Sequence, residues 1–562
     1  RARKAMEQQS ERTKQHAEVF TPLWIVQKMN DHADEVWFGY PDVFFKDETP
    51  TEHIEFLPGK TWQQYVDSRR MEITCGEAPY LATRYDVESG EAIPPDRRVG
   101  ILDRKLRIVN EFTTGEEDWL KWAYRALEAT YGYEFQGDNV LIARVNLLMT
   151  FEEYLLARLK RRPTLSEYFQ AANIIAWNIW QMDGLAGTIP YCRAEDEYTQ
   201  LSMFDEPDLE EQIQKAKNEQ PHCQIFNWRN RESLEYLTLQ EGRNMGMKFD
   251  FIIGNPPYQD ETLGENTTYA PPIYNFFMDE AYKLAEKVEL IHPARFLFNA
   301  GSTPKDWNKK MLSDEHLKVL YYEQDSSKVF SNTDIKGGVA ITYRDETENF
   351  GAIETFTAFN ELNSIMRKVN TPSDCNVSNI VYIQNRFNLE VLFADYPSSI
   401  SGIGSNGRDS RFEKNIFKKV SEVFSNEQTD SSIKVLGIID NKRVWRYIDQ
   451  KYVDKSHENL YKYKVLVPTS NGSGAIGEVL STPLIGSPLI GSPLIGYTRS
   501  YIGIGAFETK NEGEAALKYI KSKFARTMLG ILKITQDNNK PTWRYVPLQD
   551  FTVNSDIDWS QS

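Results

Sequence analysis

The sequence predicts an α/β fold, a parallel sheet covered by helices, with a second and less regular domain after it. Three observations predict this. From 71 to about 345, apolar runs suited to buried strands alternate with longer helical patterns: MEITC, YGYEF, NIIAWNIW, FDFIIG, KVELIHP, VLYYEQ and GGVAITY. After about 350, polar Asn- and Ser-rich stretches separate short strands, with Gly clusters such as SGIGSNGRDS at 401–410. The length of 562 residues also exceeds one ordinary domain. The expected division is 1–30, an N-terminal helical segment; 31–350, an α/β catalytic domain; and 351–562, an α+β domain.

The elements follow in order. RARKAMEQQSERTK reads as a charged, helix-prone opening rather than a signal peptide. Because it does not open on Met, further chain is expected upstream. The turn Phe20-Thr21-Pro22 then leads into a helix, LWIVQKMNDHADEVW. Helical spacing recurs at 139–160 (NVLIARVNLLMTFEEYLLARLK) and at 271–287 (PPIYNFFMDEAYKLAEK). GILDRKLRIV, within 82–130, receives no assignment beyond a structural one. LIGSP occurs at 484–488 and 489–493, followed by LIG at 494–496. Its five-residue period fits neither helix nor strand, and a proline in every copy excludes a helix, so a loop or edge ribbon is expected.

Composition narrows the class. With 40% hydrophobic residues and 29 each of Tyr and Phe, the chain can fill sizeable cores. No apolar run reaches 18 residues, so no membrane span is expected. Cys75, Cys192, Cys223 and Cys375 are scattered without CxxC pairs, which argues against a zinc site or disulfide framework and fits the cytoplasm. From 401 to 562, 22 Lys and Arg stand against 17 Asp and Glu, leaving about −21 on the rest of a chain of net charge −16. A mildly basic C-terminal part on an acidic body can hold DNA on one face, although a charge fluctuation gives the same numbers.

The chemistry concentrates at FDFIIGNPPY (249–258), where a buried strand runs into two prolines and an aromatic ring. Pro256 and Pro257 have fixed φ and no N–H, so their stretch is stiff and its carbonyls are free to accept. Asn255 adds a side-chain carbonyl, and Tyr258 a flat face. Two acceptors beside an aromatic platform suit a nucleobase carrying an amino group. Such a base must be turned out of its duplex to be reached. Drawing its amino hydrogens aside localises the nitrogen lone pair for attack on an electrophilic methyl group. The plainer reading, a Pro-rich turn capping a strand, is disfavoured by the rarity of NPPY and its place at a strand's carboxyl end.

These residues resemble the amino-methyltransferases of DNA that use S-adenosylmethionine, most closely the adenine-N6 methylases of type II restriction–modification systems. The resemblance implies a Rossmann-like methyltransferase domain with a mostly parallel seven-stranded sheet. It implies that Asn255 and the Pro256 carbonyl receive the adenine amino group while Tyr258 stacks on the ring. It implies further that MEITCGEAPYL supplies the cofactor turn through Glu72, Cys75 and Gly76, although the family's second glycine is replaced in Gly76-Glu77-Ala78-Pro79. In YGYEF, Glu134 would hold the ribose hydroxyls and Phe135 would lie against the cofactor's adenine. Asp183, ending NIIAWNIWQMD, would hold that adenine's amino group. Phe20, Thr21 and Pro22 match the motif of the methionine pocket. Their place ahead of the first motif makes this the gamma order. Phe330 matches an aromatic on the other face of the flipped base. A helix-capping Glu134, a turn-forming Asp183 and a core-packing Phe330 are the plainer readings.

The resemblance covers roughly 15–345 and implies direct transfer of methyl to adenine-N6, with no metal and no covalent intermediate. Its partner is double-stranded DNA, read by the C-terminal domain, with NKRVWRYIDQKY (441–452) and KPTWRYVP (540–547) as candidate contacts. A cognate restriction endonuclease is the genetic partner it suggests. Alternatives are a methylase half of a combined restriction–modification enzyme with its nuclease outside this chain, a non-catalytic DNA-binding relative, and a methylase of RNA or protein.

Overall fold

A computed structural model describes residues 21–562 except 87–88, 192–208, 243–246, 260–270, 332, 334, 358, 360–361, 363–364, 366–368, 370–374, 473–475, 482–486, 534–535 and 562. The chain divides between Phe356 and Thr357 into two compact units.

The first unit is built on seven strands: β1 (Arg70–Ile73), β2 (Thr130–Glu134), β3 (Ile179–Gln181), β4 (Phe251–Gly254), β5 (Lys287–Pro293), β6 (Leu317–Glu323) and β7 (Val339–Asp345). They lie in the order β6-β7-β5-β4-β1-β2-β3. All neighbours are parallel except β7, which runs antiparallel to both β5 and β6. This is the helix-covered sheet that the alternation predicts, in the mostly parallel, seven-stranded, Rossmann-like form that the resemblance implies. Every residue of β1, β2 and β4 is buried, the charged Arg70, Glu72 and Glu134 included, because both faces of these central strands are covered.

Helices α1 (Leu23–Phe38), α2 (Ile101–Phe112), α3 (Glu116–Glu128), α4 (Gly137–Leu159) and α5 (Leu165–Asn178) share one continuous core with the sheet. Helix α6 (Tyr274–Leu284) packs on β5. The unassigned segment GILDRKLRIV is α2. One expected strand is different: NIIAWNIW is mostly helix, and only Ile179–Gln181 is strand. Ala171, Ile174, Ile175 and Asn178 are its buried face, spaced three and four apart, and Thr164 with Glu167 closes a capping box at its start.

In the second unit, a four-stranded antiparallel sheet has the order β8-β14-β11-β12, and a three-stranded sheet the order β10-β9-β13. The strands are β8 (Val381–Tyr382), β9 (Ser432–Ile439), β10 (Lys442–Asp449), β11 (Tyr463–Pro468), β12 (Leu489–Gly491), β13 (Ile495–Tyr497) and β14 (Tyr501–Phe507). Helix α7 (Lys510–Lys521) packs on β11 and β14 and is followed by α8 (Lys523–Gly530). The LIGSP repeat supplies an edge strand to each sheet, β12 to one and β13 to the other, while 484–486 lie outside the described residues. Among the described residues, no helix is long and apolar enough to cross a membrane.

Candidate active site

Strands β1 and β4 are neighbours at the point where the strand order turns, with β2 and β3 on one side and β5 on the other. In open α/β sheets the crevice outside the carboxyl ends of such strands binds ligands. The register pairs Ile73 with Gly254 and Glu134 with Gln181. Thr74–Gly76, Glu134, Asp183 and Asn255–Tyr258 therefore leave the sheet along one edge.

Close backbone approach sets the corner. A Cβ on Gly254 would meet the Ile73 carbonyl oxygen at 2.7 Å and Ile73 Cγ1 at 2.8 Å, so only glycine lets β1 and β4 come together there. Just beyond, the Thr74 hydroxyl donates to the Asn255 carbonyl at 3.2 Å. The Asn255 side-chain Nδ2 donates to Thr21 Oγ1, also at 3.2 Å, across 234 residues of sequence. The Thr21-Pro22 turn and the NPPY corner thus meet, as the methionine-pocket and catalytic expectations for them require, although Phe20 itself lies outside the described residues. Pro22 precedes α1 in extended conformation, and Thr21 is buried.

The turn after β1 is left-handed at Thr74, Gly76 and Ala78. Nothing lies within 4 Å of where a Gly76 Cβ would stand, so the turn is open on that side. Ala78, at the place of the missing second glycine, is fully buried with φ of 63°, a conformation that costs an L-residue about 1–2 kcal/mol. Glu134 joins this turn to β2. One carboxylate oxygen accepts from the Gly76 N–H at 2.8 Å and the other from the Gln136 N–H at 3.0 Å.

Other predicted residues serve their own loops. Glu72 is buried and accepts from the Leu81 N–H at 3.2 Å, and burial pushes its carboxyl well above the usual carboxylate range. Cys75 donates its N–H to the Tyr133 carbonyl at 2.8 Å, and burial pushes its thiol up. Asp183 Oδ1 accepts from the N–H groups of Leu185 and Ala186 at 3.0 and 3.1 Å, forming its own turn. Gln240 Nε2 supports that turn from beneath, donating to the Gly184 carbonyl at 2.9 Å. The half-buried Phe135 ring meets the exposed Tyr191 edge-on at 5.3 Å.

At the base end, Pro256 and Tyr258 are buried, Asn255 and Pro257 half-buried. Tyr258 and Phe330 stand edge-to-face with centroids 6.2 Å apart. Phe330 is 1% exposed in the main core. A ring sandwiched between parallel faces needs two stacking distances, about 7 Å, which this edge-to-face pair does not provide. The sequence reading passed over Thr74, which donates to the Asn255 carbonyl, and Gln240, which donates into the turn of Asp183. A buried side-chain hydroxyl or amide leaves no mark on hydrophobic periodicity.

Residues 128–330 match the family model described as Eco57I restriction-modification methylase. That segment holds Glu134, Phe135, Asp183, the NPPY corner and Phe330. An "Uncharacterized adenine-specific methylase" of Mycoplasma pneumoniae is 34% identical over 95 residues, 16% of this chain and 22% of that one. The nuclease-deletion mutant of the Type ISP restriction-modification enzyme LlaGI, in complex with a DNA substrate mimic, is 12% identical with a TM-score of 0.40, over 94% of this chain and 46% of that one. The Type IIL restriction-modification enzyme MmeI, in complex with DNA, gives 8% and 0.35, over 93% and 64%. The chain thus spans about a fifth of the curated relative and about half of the first of these structures.

Proposed function

We infer that this chain, whose residues 128–330 match the restriction-modification methylases, transfers a methyl group from S-adenosylmethionine to the exocyclic amino group of an adenine turned out of double-stranded DNA. The observation that carries this reading is the corner Asn255-Pro256-Pro257-Tyr258 at the end of β4, beside the open turn of β1 and joined to Thr21. The cofactor half fits the same edge. An open left-handed turn at Gly76 admits a ligand close to its backbone, and the Glu134 carboxylate beside it suits a diol.

When bound, S-adenosylmethionine supplies an electrophilic methyl group. Gly76, Glu134, Phe135 and Asp183 would hold it, with Phe20, Thr21 and Pro22 at its methionine end. Glu72 and Cys75 would act by shaping the turn. Asn255 Oδ1 and the Pro256 carbonyl accept the two amino hydrogens of the target base, so the nitrogen lone pair is left free and directed. Stiff prolines hold both acceptors in place before the base arrives, which is catalysis by position. Tyr258 turns from Phe330 to lie on the base, and Phe330 backs the pocket.

The unit from Thr357 onward would read the DNA sequence. Its β9–β10 hairpin is the better candidate of the two basic, aromatic runs. Its strand β10, at the edge of the three-stranded sheet, carries Lys442, Arg443, Trp445 and Arg446, a basic and aromatic strand suited to contact with the duplex. In KPTWRYVP, by contrast, Trp543 is fully buried in the core. A protein of this kind would work in the cytoplasm, where the DNA is. The test is mass spectrometry of nucleosides from unmethylated DNA incubated with protein and cofactor. N6-methyladenine is expected; no methylated nucleoside, or methylated cytosine alone, would overturn the assignment.

A further inference from the structure

Strand β5 pairs with β4 as far as Leu290 and Gly254, then continues through Ile291, His292 and Pro293. Arg295 follows in a short 3-10 helix, Ala294–Phe298. It therefore comes up at the same edge of the sheet as the NPPY corner, on the side of β4 away from β1. The segment is anchored on both sides of Arg295. Ala294 donates its N–H to the Gly338 carbonyl at 3.0 Å, and the Phe296 ring meets His292 at 5.3 Å and Trp307 at 5.2 Å. Gly301, with φ of 95°, crosses the arginine stem: a Cβ there would stand 3.1 Å from Arg295 Cβ and 3.4 Å from its Cδ. The stem is thus held before any ligand arrives.

The guanidinium on this stem is unpaired. Arg295 is half-buried, its Nε is shielded from solvent, and none of its side-chain nitrogens has a hydrogen-bond or ion-pair partner among the described residues. Elsewhere in the same sheet, Arg70 pairs with Asp34 at 2.7 Å and Arg344 with Asp314 at 2.9 Å. Asp and Glu outnumber Lys and Arg by 81 to 65, so carboxylates are not scarce in this chain. A shielded donor left unmade costs stability, and a ligand is one way to repay it. The fixed planar fork of a guanidinium suits an oxyanion, phosphate or carboxylate.

The methyltransferase reading brings two such groups to this edge, a backbone phosphate of DNA and the carboxylate of the cofactor's methionine. Position decides between them. Gly76, Glu134 and Asp183, proposed to hold the cofactor, follow β1, β2 and β3 on the other side of β4. We propose that Arg295 grips a backbone phosphate beside the target adenine and so fixes the strand while the base is turned out into the NPPY corner. This rests on the methyltransferase reading of that corner. A phosphate contact carries no sequence information, so its effect falls on affinity and placement rather than on choice of site.

The test compares Arg295→Met, which keeps the stem and removes the charge, and Arg295→Lys, which keeps the charge, with the unaltered protein. Each is checked for an unchanged melting transition. DNA affinity is measured by fluorescence anisotropy over a range of salt, and cofactor affinity by calorimetry. Loss of one phosphate contact should reduce the slope of log K against log salt by about 0.9 in Arg295→Met and leave it nearly unchanged in Arg295→Lys. Once sequencing has located the methylated adenine, a second readout replaces single phosphates around it with uncharged methylphosphonates. One replacement should weaken binding by the parent about tenfold and leave Arg295→Met indifferent, because its contact is already gone. A parental salt slope in folded Arg295→Met, or a variant that loses as much as the parent at every replaced phosphate, would overturn the proposal. So would a scan in which no single replacement near the adenine weakens the parent, a result that needs no variant. Weaker cofactor binding with unchanged DNA binding would overturn it as well and give Arg295 to the carboxylate. No transfer of methyl to DNA by the unaltered protein would overturn instead the reading on which the proposal rests.

Discussion

Asp34→Ala should be among the most damaging single substitutions in the first unit. Asp34, on α1, accepts on Oδ1 from Arg70 Nη1 and the Tyr65 hydroxyl, both at 2.7 Å, and on Oδ2 from Arg104 Nη1 at 2.6 Å. None of these four side chains is more than 2% exposed. Arg104 keeps Asp31 at 2.7 Å and the Val99 carbonyl at 2.9 Å after the change, whereas Arg70 loses the only carboxylate it pairs with among the described residues. Breaking a buried ion pair by removing one partner costs about 3–5 kcal/mol, because a charge stays behind unpaired. Taking about 4 kcal/mol, and about 2 °C per kcal/mol for a unit of this size, the melting transition should fall by about 8 °C. Methyl transfer should fall with it, since α1 starts two residues after Thr21, which accepts from the Asn255 side chain. Calorimetric melting of the Asp34→Ala and Asp34→Asn proteins provides the check. A loss below about 1 kcal/mol, the value of an exposed pair, would refute the argument that these charges are held out of water.

Gly254→Ala should cost about 2–3 kcal/mol and depress methyl transfer, because the added methyl meets backbone of β1 that cannot move without parting the two central strands; an unchanged melting temperature would count against this. Glu134→Gln puts an NH2 where one of two N–H groups now donates, and calorimetric titration should find cofactor binding weaker by about tenfold or more. Glu72 is pushed up by burial, so its contribution to stability is present below its unfolded value of about 4.5 and is lost as pH rises through the folded value. Glu72→Gln, neutral at every pH, should therefore gain stability over the parent as pH is raised. A stability difference that stays flat from about pH 5 to 9 would contradict this.

The sheet of the first unit was most legible at β4, whose Phe251-Ile252-Ile253-Gly254 is covered on both faces and reads as an unbroken apolar run. The same rule misread α5, whose Ile174 and Ile175 look in sequence like Ile179 and Trp180 of β3. The capping box at Thr164 and Glu167 was the signal that separates them. Asp103, Arg104 and Lys105 form a charged triplet that composition assigns to the surface, yet all three are buried. Lys105 there donates to the carbonyls of Ser68 and Ala129 at 2.6 and 2.9 Å. Such groups are paid for by partners distant in sequence, which no local pattern reveals. The place of the NPPY corner was legible because it is local, four consecutive residues after a strand. The link from Asn255 to Thr21 was not, because it joins residues 234 positions apart.

The most direct test is transfer of labelled methyl from S-adenosylmethionine to unmethylated DNA by the parent protein and by Asn255→Ala, with cofactor affinity measured on both. Label in DNA with the parent, lost in Asn255→Ala while cofactor still binds, is the predicted result. Equal labelling by the two proteins would contradict the catalytic role of the corner, and a parent that binds no cofactor would contradict the methyltransferase reading altogether.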